Sequence, residues 1–379
     1  MAMSAEAKEP QSVQARVPTL LRSAVRSVAF ALCMRASEDL LCASIRAELP
    51  DLPCHLRKEI LYFCLRSGSD LFDSNALRLL LCDQIEELNF EGCQTPGIDE
   101  EGWSVLRSGC PNLHSILASK WYNRNPSEIT ALCSGHPHLT TLDLSFCSPS
   151  LTDAQVIDIV ACSRSITHLE LSHNHGLTDM AAIAISESLP DLRSIGLSCV
   201  DGLSNVGLVA LRTKCPLIEY LRIKRCSRID RVPQGATSLR SINAKGLTCV
   251  DRHCWTGILG PSLHMLQDVR LGECDLQMDD IFERNRVATG SELPDRLPLV
   301  ALDLSWVEDT RDEHVIALVS RAPGLRTLKL RACEHVGDRS LLSAATSCPL
   351  LKKVNVSRCS GISDSTISRL ARSCTGVMD

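Results

Sequence analysis

From residue 83 to its C-terminus the chain repeats one pattern of apolar positions about every 26 residues, and that period restricts it to a stacked architecture. Counting from Pro137, the residues Leu139, Leu142, Leu144 and Cys147 fall at offsets 2, 5, 7 and 10. The same offsets from Pro323 hold Leu325, Leu328, Leu330 and Cys333, and from Pro349 they hold Leu351, Val354, Val356 and Cys359. Pro216 leads to Ile218, Leu221, Ile223 and Cys226. Eleven starts can be placed, at 83, 111, 137, 164, 190, 216, 237, 264, 297, 323 and 349. One such unit is too small to bury its own apolar face, so neighbours must stack.

Offsets 5 and 7 alternate inward, so offsets 4 to 8 are expected to form a short strand. Offset 10 needs a small, semi-polar residue at the turn off the strand, and Cys fits. Helix caps follow at Thr152-Asp153, Thr178-Asp179, Ser204-Asn205 and Ser363-Asp364. Thr310 with Glu313 reads as a capping box. Apolar residues at helical spacing come next, as in Val156, Ile157, Ile159 and Val160, and Pro then stops the helix.

The run Leu-x-x-Leu-x-Leu-x-x-Cys followed by Leu-Thr-Asp resembles the cysteine-containing leucine-rich repeat over roughly Asp83–Cys374. The resemblance implies an α/β solenoid, a curved horseshoe with parallel strands on its concave face and helices on its convex face. It also implies a chain that binds other proteins without transforming them. Departures are Pro233 in place of a helix, an inserted loop near Phe282–Arg296, and Asn174, Val200, Leu247 and Trp121 at offset 10.

The 20 cysteines then find a role. Cys93, Cys147, Cys226, Cys274, Cys333 and Cys359 sit at offset 10, and Cys82, Cys110, Cys215, Cys348 and Cys374 close a helix. The first residues lack the apolar core of a secretory signal, and no run of 18 apolar residues exists. The thiols are therefore expected reduced, the chain cytoplasmic or nuclear and off the membrane. No GxSxG, P-loop, GxGxxG, HExxH or CxxC occurs, so no enzyme, cofactor or metal is expected. Cys249, His253 and Cys254 read as loop residues, and His136, His138, His173 and His175 as surface residues.

Offsets 4, 6 and 8 face outward from the strands. Early repeats present Glu87, Asn89, Glu91, Asp143 and Glu170, and the fifth presents Ser194, Gly196 and Ser198. Later ones present Tyr220, Arg222, Lys224, Lys245, Arg270, Lys329, Arg331 and Lys353, with Arg358 at offset 9, against the acids Asp268, Glu273 and Asp303. A basic stripe of this kind suits an acidic or phosphorylated protein segment. Net charge is −5 and stacking aromatics are nearly absent there, so nucleic acid is not expected.

Residues 1–16 read as a disordered tail, 17–82 as a helical module and 83–379 as the repeat domain. In the module Leu20, Ala24 and Val28 share one helical face, and Leu52, Pro53, Leu56 and Ile60 mark a second helix opened by proline. The first set resembles the elongin-binding BC-box with Ala in place of Cys, and the second resembles the cullin-box. The second set also resembles the start of an F-box, although about thirty residues before the repeats is short for one and its late Trp is missing. A third reading makes both helices a cap over the first repeat. The docking resemblances imply a substrate receptor of a cullin-RING ubiquitin ligase, with elongin B/C or a Skp-type adaptor and a cullin as partners. The cap reading implies a binding scaffold or regulator without a ligase link.

Overall fold

The computed structural model of the chain describes residues 23–29, 46–67, 74–91, 98, 100–120, 126–230, 238–247, 262–276, 278–279 and 294–373. The tail 1–16, Leu20, Cys93, Trp121, Pro233, residues 282–293 of the inserted loop, and Cys249, His253, Cys254 and Cys374 lie outside them. The chain divides into two compact units, Met1–Leu113 and His114–Asp379.

The first unit contains a helical stretch at 23–29, a 3-10 turn at Leu49–Asp51, α1 (Cys54–Ser67), α2 (Ser74–Leu80), β1 (Glu87–Asn89) and α3 (Glu100–Gly109). Its core is aliphatic, with Leu49, Ile60, Leu61, Leu65, Leu77, Leu80, Ile85 and Leu88 buried beside Phe90 and Trp103. Polar ties fasten α1. The Tyr62 hydroxyl donates to the Glu87 carbonyl at 2.6 Å, and Arg57 Nη1 donates to the Leu81 carbonyl at 3.2 Å. The Arg57 bond serves a carbonyl at the end of α2, which the helix itself leaves without a partner. Burial, first of all, holds the Tyr62 phenol above its ordinary range. Cys54, at the start of α1, and Cys82, just beyond α2, come within 6.5 Å between Cα atoms and are joined in a disulfide. This departs from the expectation of reduced thiols.

The second unit is a solenoid. Its strands β2 (Ser115–Leu117), β3 (Thr141–Asp143), β4 (His168–Glu170), β5 (Ser194–Gly196), β6 (Tyr220–Arg222), β7 (Ser241–Asn243), β8 (Asp268–Arg270), β9 (Ala301–Asp303), β10 (Thr327–Lys329) and β11 (Lys353–Asn355) lie in chain order in one parallel sheet. Every strand starts at offset 4 of its repeat. The register places Leu142 beside Leu169, then Ile195, Leu221, Ile242, Val269, Leu302 and Leu328. These side chains are almost wholly buried, each stabilising by roughly 1.5–3 kcal/mol against exposure. The short spacing from β6 to β7 and the long one from β8 to β9 leave the register intact, so length differences are taken up outside the strands.

The helices α4 (Pro126–Ser134), α5 (Asp153–Cys162), α6 (Asp179–Ser188), α7 (Asn205–Lys214), α8 (Asp312–Val319), α9 (Asp338–Ser347) and α10 (Asp364–Ser373) form the second layer. The recurrent Asp has a cross-repeat task. Asp153 accepts from the Thr178 amide at 2.8 Å and hydroxyl at 2.6 Å, and Asp179 accepts from the Ser204 amide at 2.8 Å and the Gly207 amide at 3.0 Å. Asp312 repeats this toward Gly337, and Asp338 toward Ser363. Each first-turn carboxylate thus binds the cap of the following helix. Thr178 and Ser204 in turn accept from Met180 and Val206, as caps do. Thr310 does not cap. The cap of α8 is Arg311, whose amide donates to His314 Nδ1 at 3.2 Å, because the chain stays extended one residue longer.

The strands are shorter than expected, offsets 4 to 6, but the pairing runs on. The offset-7 amide of Leu144 donates to the Glu170 carbonyl, and the offset-9 amide of Phe146 donates to the Ser172 carbonyl. At offset 9 the backbone turns left-handed in repeat after repeat. Lys120, Phe146, His173, Cys199, Arg225, Glu273, Trp306, Ala332 and Arg358 have φ between 54 and 65°, and Gly246 has 74°. That turn brings offset 10 back under the sheet. The thiols of Cys226, Cys333 and Cys359 donate there to Leu197, Leu304 and Leu330 carbonyls of the preceding repeat, at 3.0, 3.2 and 3.0 Å. Asn174 does the same for Leu144 at 2.8 Å, which explains why Asn can replace Cys. Burial pushes the Cys147 and Cys226 thiols up to about 12 and Cys333 to about 11. His136 is buried at 3% exposure, not on the surface, because it closes the turn between α4 and Leu139.

Two outcomes test this packing. Asp179→Ala should cost about 1–3 kcal/mol by leaving the Ser204 and Gly207 amides without their acceptor, read from urea unfolding. Alkylation at about pH 8 should modify exposed Cys162 at least about tenfold faster than Cys133, Cys147, Cys226 or Cys333, read by mass spectrometry of the digested protein.

Candidate protein-binding face

With offsets 5 and 7 buried, offsets 4, 6 and 8 form the outer face of the sheet. Offset 6 is partly structural. Asp143, Glu170, Asp303 and Asn355 each accept from the amide two residues on, at 2.9, 3.0, 3.1 and 3.1 Å. The serines at offset 8 are sunk beside them, with Ser145, Ser172, Ser198 and Ser305 all buried. Part of the acidic character of the early repeats is therefore directed at the backbone. His168 is held below its ordinary pKa by burial and then by Arg193 and Arg222, and His173 by burial and then by His175 and Lys224. Both are shifted toward the neutral form. His173 stacks on Phe146 with ring centroids 3.8 Å apart.

The structure places the basic residues named from sequence on this face and separates them into two groups. Arg222, on β6, pairs with Glu170, on β4, at 2.8 Å. The pair passes over β5 because position 196 is glycine, where a Cβ would meet Glu170 Oε1 at 2.0 Å. Lys245 pairs with Glu273 at 3.1 Å, and Arg225 with the same carboxylate at 3.4 Å, above Gly246. The two cations lower the Glu273 pKa against its burial. Arg270 forks onto Asp268 of its own strand at 3.0 and 2.7 Å, and Lys329 lies 3.8 Å from Asp303. Arg331 and Lys353 form no ion pair among the described residues, and neither does Lys224. Tyr220 is 37% exposed at the edge of β6.

Sequence reasoning named Arg358 at offset 9 but did not follow that offset as a row. It carries exposed Phe146 and Trp306 beside the cations named above, and Trp306 has Arg331 and Arg358 against its ring. The row mixes Lys, Phe, His, Cys, Arg, Gly, Glu, Trp and Ala, so only the repeat frame could have singled it out.

In the first unit the helical stretch 23–29 buries Val25 and Ala29 and exposes Ala24, with Val28 half-buried. The Ala24–Val28 face is thus turned away from the core. Pro53 is exposed, Leu52 and Leu56 are half-buried, and Ile60 is 1% exposed inside the unit.

Similarity to known proteins agrees with this geometry. A leucine-rich-repeat family model matches residues 135–148 and 162–186. The F-box protein SKIP19 of Arabidopsis thaliana is 36% identical over 95 residues, 25% of this chain and 30% of that protein. The F-box/LRR-repeat protein 23 of the same plant is 30% identical over 128 residues, 32% of this chain and 28% of that protein. The chain thus spans less than a third of either relative. The solved complex of Rad7 and Elc1 from yeast shares the fold, with a TM-score of 0.53 over 92% of this chain and 91% of that chain at 15% identity.

Because Gly196 is what lets the Glu170–Arg222 pair form, that pair can be tested alone. A double-mutant cycle on Glu170→Gln and Arg222→Gln should give a coupling of about 0.3–1 kcal/mol that falls with salt, and Gly196→Ala should abolish it. The recurring strand, turn and thiol positions give the chain a leucine-rich-repeat solenoid, and these partial matches make it similar to F-box/leucine-rich-repeat proteins.

Proposed function

We propose that the chain is the substrate-recognition subunit of a cullin-RING E3 ubiquitin ligase and is not itself an enzyme. The repeats hold a target protein on the outer sheet face, and the N-terminal helices dock to an adaptor and cullin. Transfer chemistry takes place on other subunits. The observation that carries this reading is the pairing of an F-box-like relationship with an N-terminal unit that leaves two motif faces accessible, Ala24–Val28 and Leu52–Leu56. Rad7, solved with Elc1, shows the same fold over nearly its whole length.

A second reading, a binding scaffold with a helical cap, is favoured by Ile60, whose side chain is buried in the unit where a cullin-box residue would need to be available. The two readings differ in what the full chain captures. Ala24→Glu should abolish capture of elongin B/C, and Leu56→Glu capture of a cullin or a Skp-type adaptor, each by at least about tenfold, with circular dichroism unchanged. Capture of elongin B/C supports the BC-box form, and capture of the Skp-type adaptor supports the F-box form. Wild-type protein that captures neither supports the scaffold.

A further inference from the structure

Three adjacent repeats converge on one exposed indole. Trp306 ends the β9 repeat at offset 9, in the left-handed region with φ 64°, where bulky side chains are strained, and it is 42% exposed. Arg331, from the next repeat, sits with its guanidinium carbon 5.9 Å from the ring centroid. Arg358, from the repeat after that, sits at 5.5 Å. Arg358 occupies the same turn position as Trp306, two repeats on, and the residue between them in that row is Ala332. A methyl group there leaves the path open, as glycine does under the Glu170–Arg222 pair.

The arginines of this face divide by their partners. Arg222, Arg225, Lys245 and Arg270 each have a carboxylate partner. Arg331 and Arg358 contact the indole, and among the described residues no carboxylate or carbonyl accepts from them. A guanidinium held beside a ring by cation–π attraction spends no hydrogen-bond donor on it and keeps its N–H groups for acceptors. Two such groups fixed around one ring are ordered before a ligand arrives, which lowers the entropy cost of binding.

We propose that Trp306, Arg331 and Arg358 form the anchor for an acidic peptide segment of the target. The two guanidinium groups take an Asp or Glu carboxylate in charge-assisted hydrogen bonds, and the indole packs on the aliphatic part of the adjoining residue. This rests on the reading of the sheet face as the target-binding surface and is independent of which adaptor the helices dock.

The test uses the full chain and a fluorescein-labelled peptide of four Gly-Glu-Leu repeats, followed by anisotropy. Arg331→Gln with Arg358→Gln should weaken binding about tenfold or more, and Trp306→Ala about fivefold. Arg331→Lys with Arg358→Lys should recover little, since charge is kept and the fork is lost. Arg222→Gln and Arg270→Gln should change binding less than about twofold, because both are already neutralised. Equal losses from Arg222→Gln would make the attraction diffuse and overturn the anchor, as would failure of the peptide to bind at low salt. A phosphoserine version binding about tenfold or more tighter than the Glu peptide would overturn the carboxylate assignment. Adaptor capture is measured on the same proteins. Loss of peptide binding with capture intact isolates the anchor, whereas wild-type protein that binds peptide and captures no adaptor removes the ligase reading alone.

Discussion

The left-handed turn at offset 9 is the constraint on which the rest of the second unit depends. It lets one amide continue the sheet ladder into the next repeat while the following residue dives under the strand. For a residue other than glycine, left-handed backbone costs roughly 1–2 kcal/mol, and the chain accepts that cost at nine described positions. What offsets it is local and repeated. The amide at offset 9 finds a carbonyl in the next repeat, and the side chain at offset 10 covers a carbonyl in the preceding one. A sulfhydryl is a weak donor, but it is small enough for that space and apolar enough for the core. Asn174 makes stronger bonds in the same place, two of them from one amide group.

Register converts this local device into a surface. Because every strand starts at the same offset, residues at offsets 4, 6, 8 and 9 line up as rows across the sheet. A small residue in a row then becomes a passage between its neighbours. Gly196 lets Glu170 reach Arg222, and Ala332 lies between Trp306 and Arg358. The charge map of the face thus depends on contacts two repeats apart, which composition cannot reveal.

Much of the fold was legible in the sequence because the pattern is periodic. Leu142, Leu328 and their counterparts identify the buried row, and all eleven repeat starts yield a strand at offset 4. What escaped reading follows from geometry that apolar spacing does not encode. Thr310 was a sound cap by residue type, but the extended segment runs on to Arg311. His136 was polar and yet is buried, because a turn closes over it. Cys54 and Cys82 meet only because the start of α1 lies against the end of α2. The basic stripe was legible as residues but not as free charge, since Arg222, Lys245 and Arg270 are matched by carboxylates.

The N-terminal helices show why a degenerate docking motif is weak evidence by itself. Apolar residues at spacings of four are what a helix needs to bury a face in its own core, and they are also what it needs to present one to a partner. Accessibility separates these uses where spacing cannot. Val25 and Ala29 turn inward, so Ala24 and Val28 are the stripe left over. In α1 the motif is divided, with Leu52, Pro53 and Leu56 reachable and Ile60 committed to the core. A partner that docked here without rearrangement would read the start of α1 and the 3-10 turn before it, and could not use Ile60.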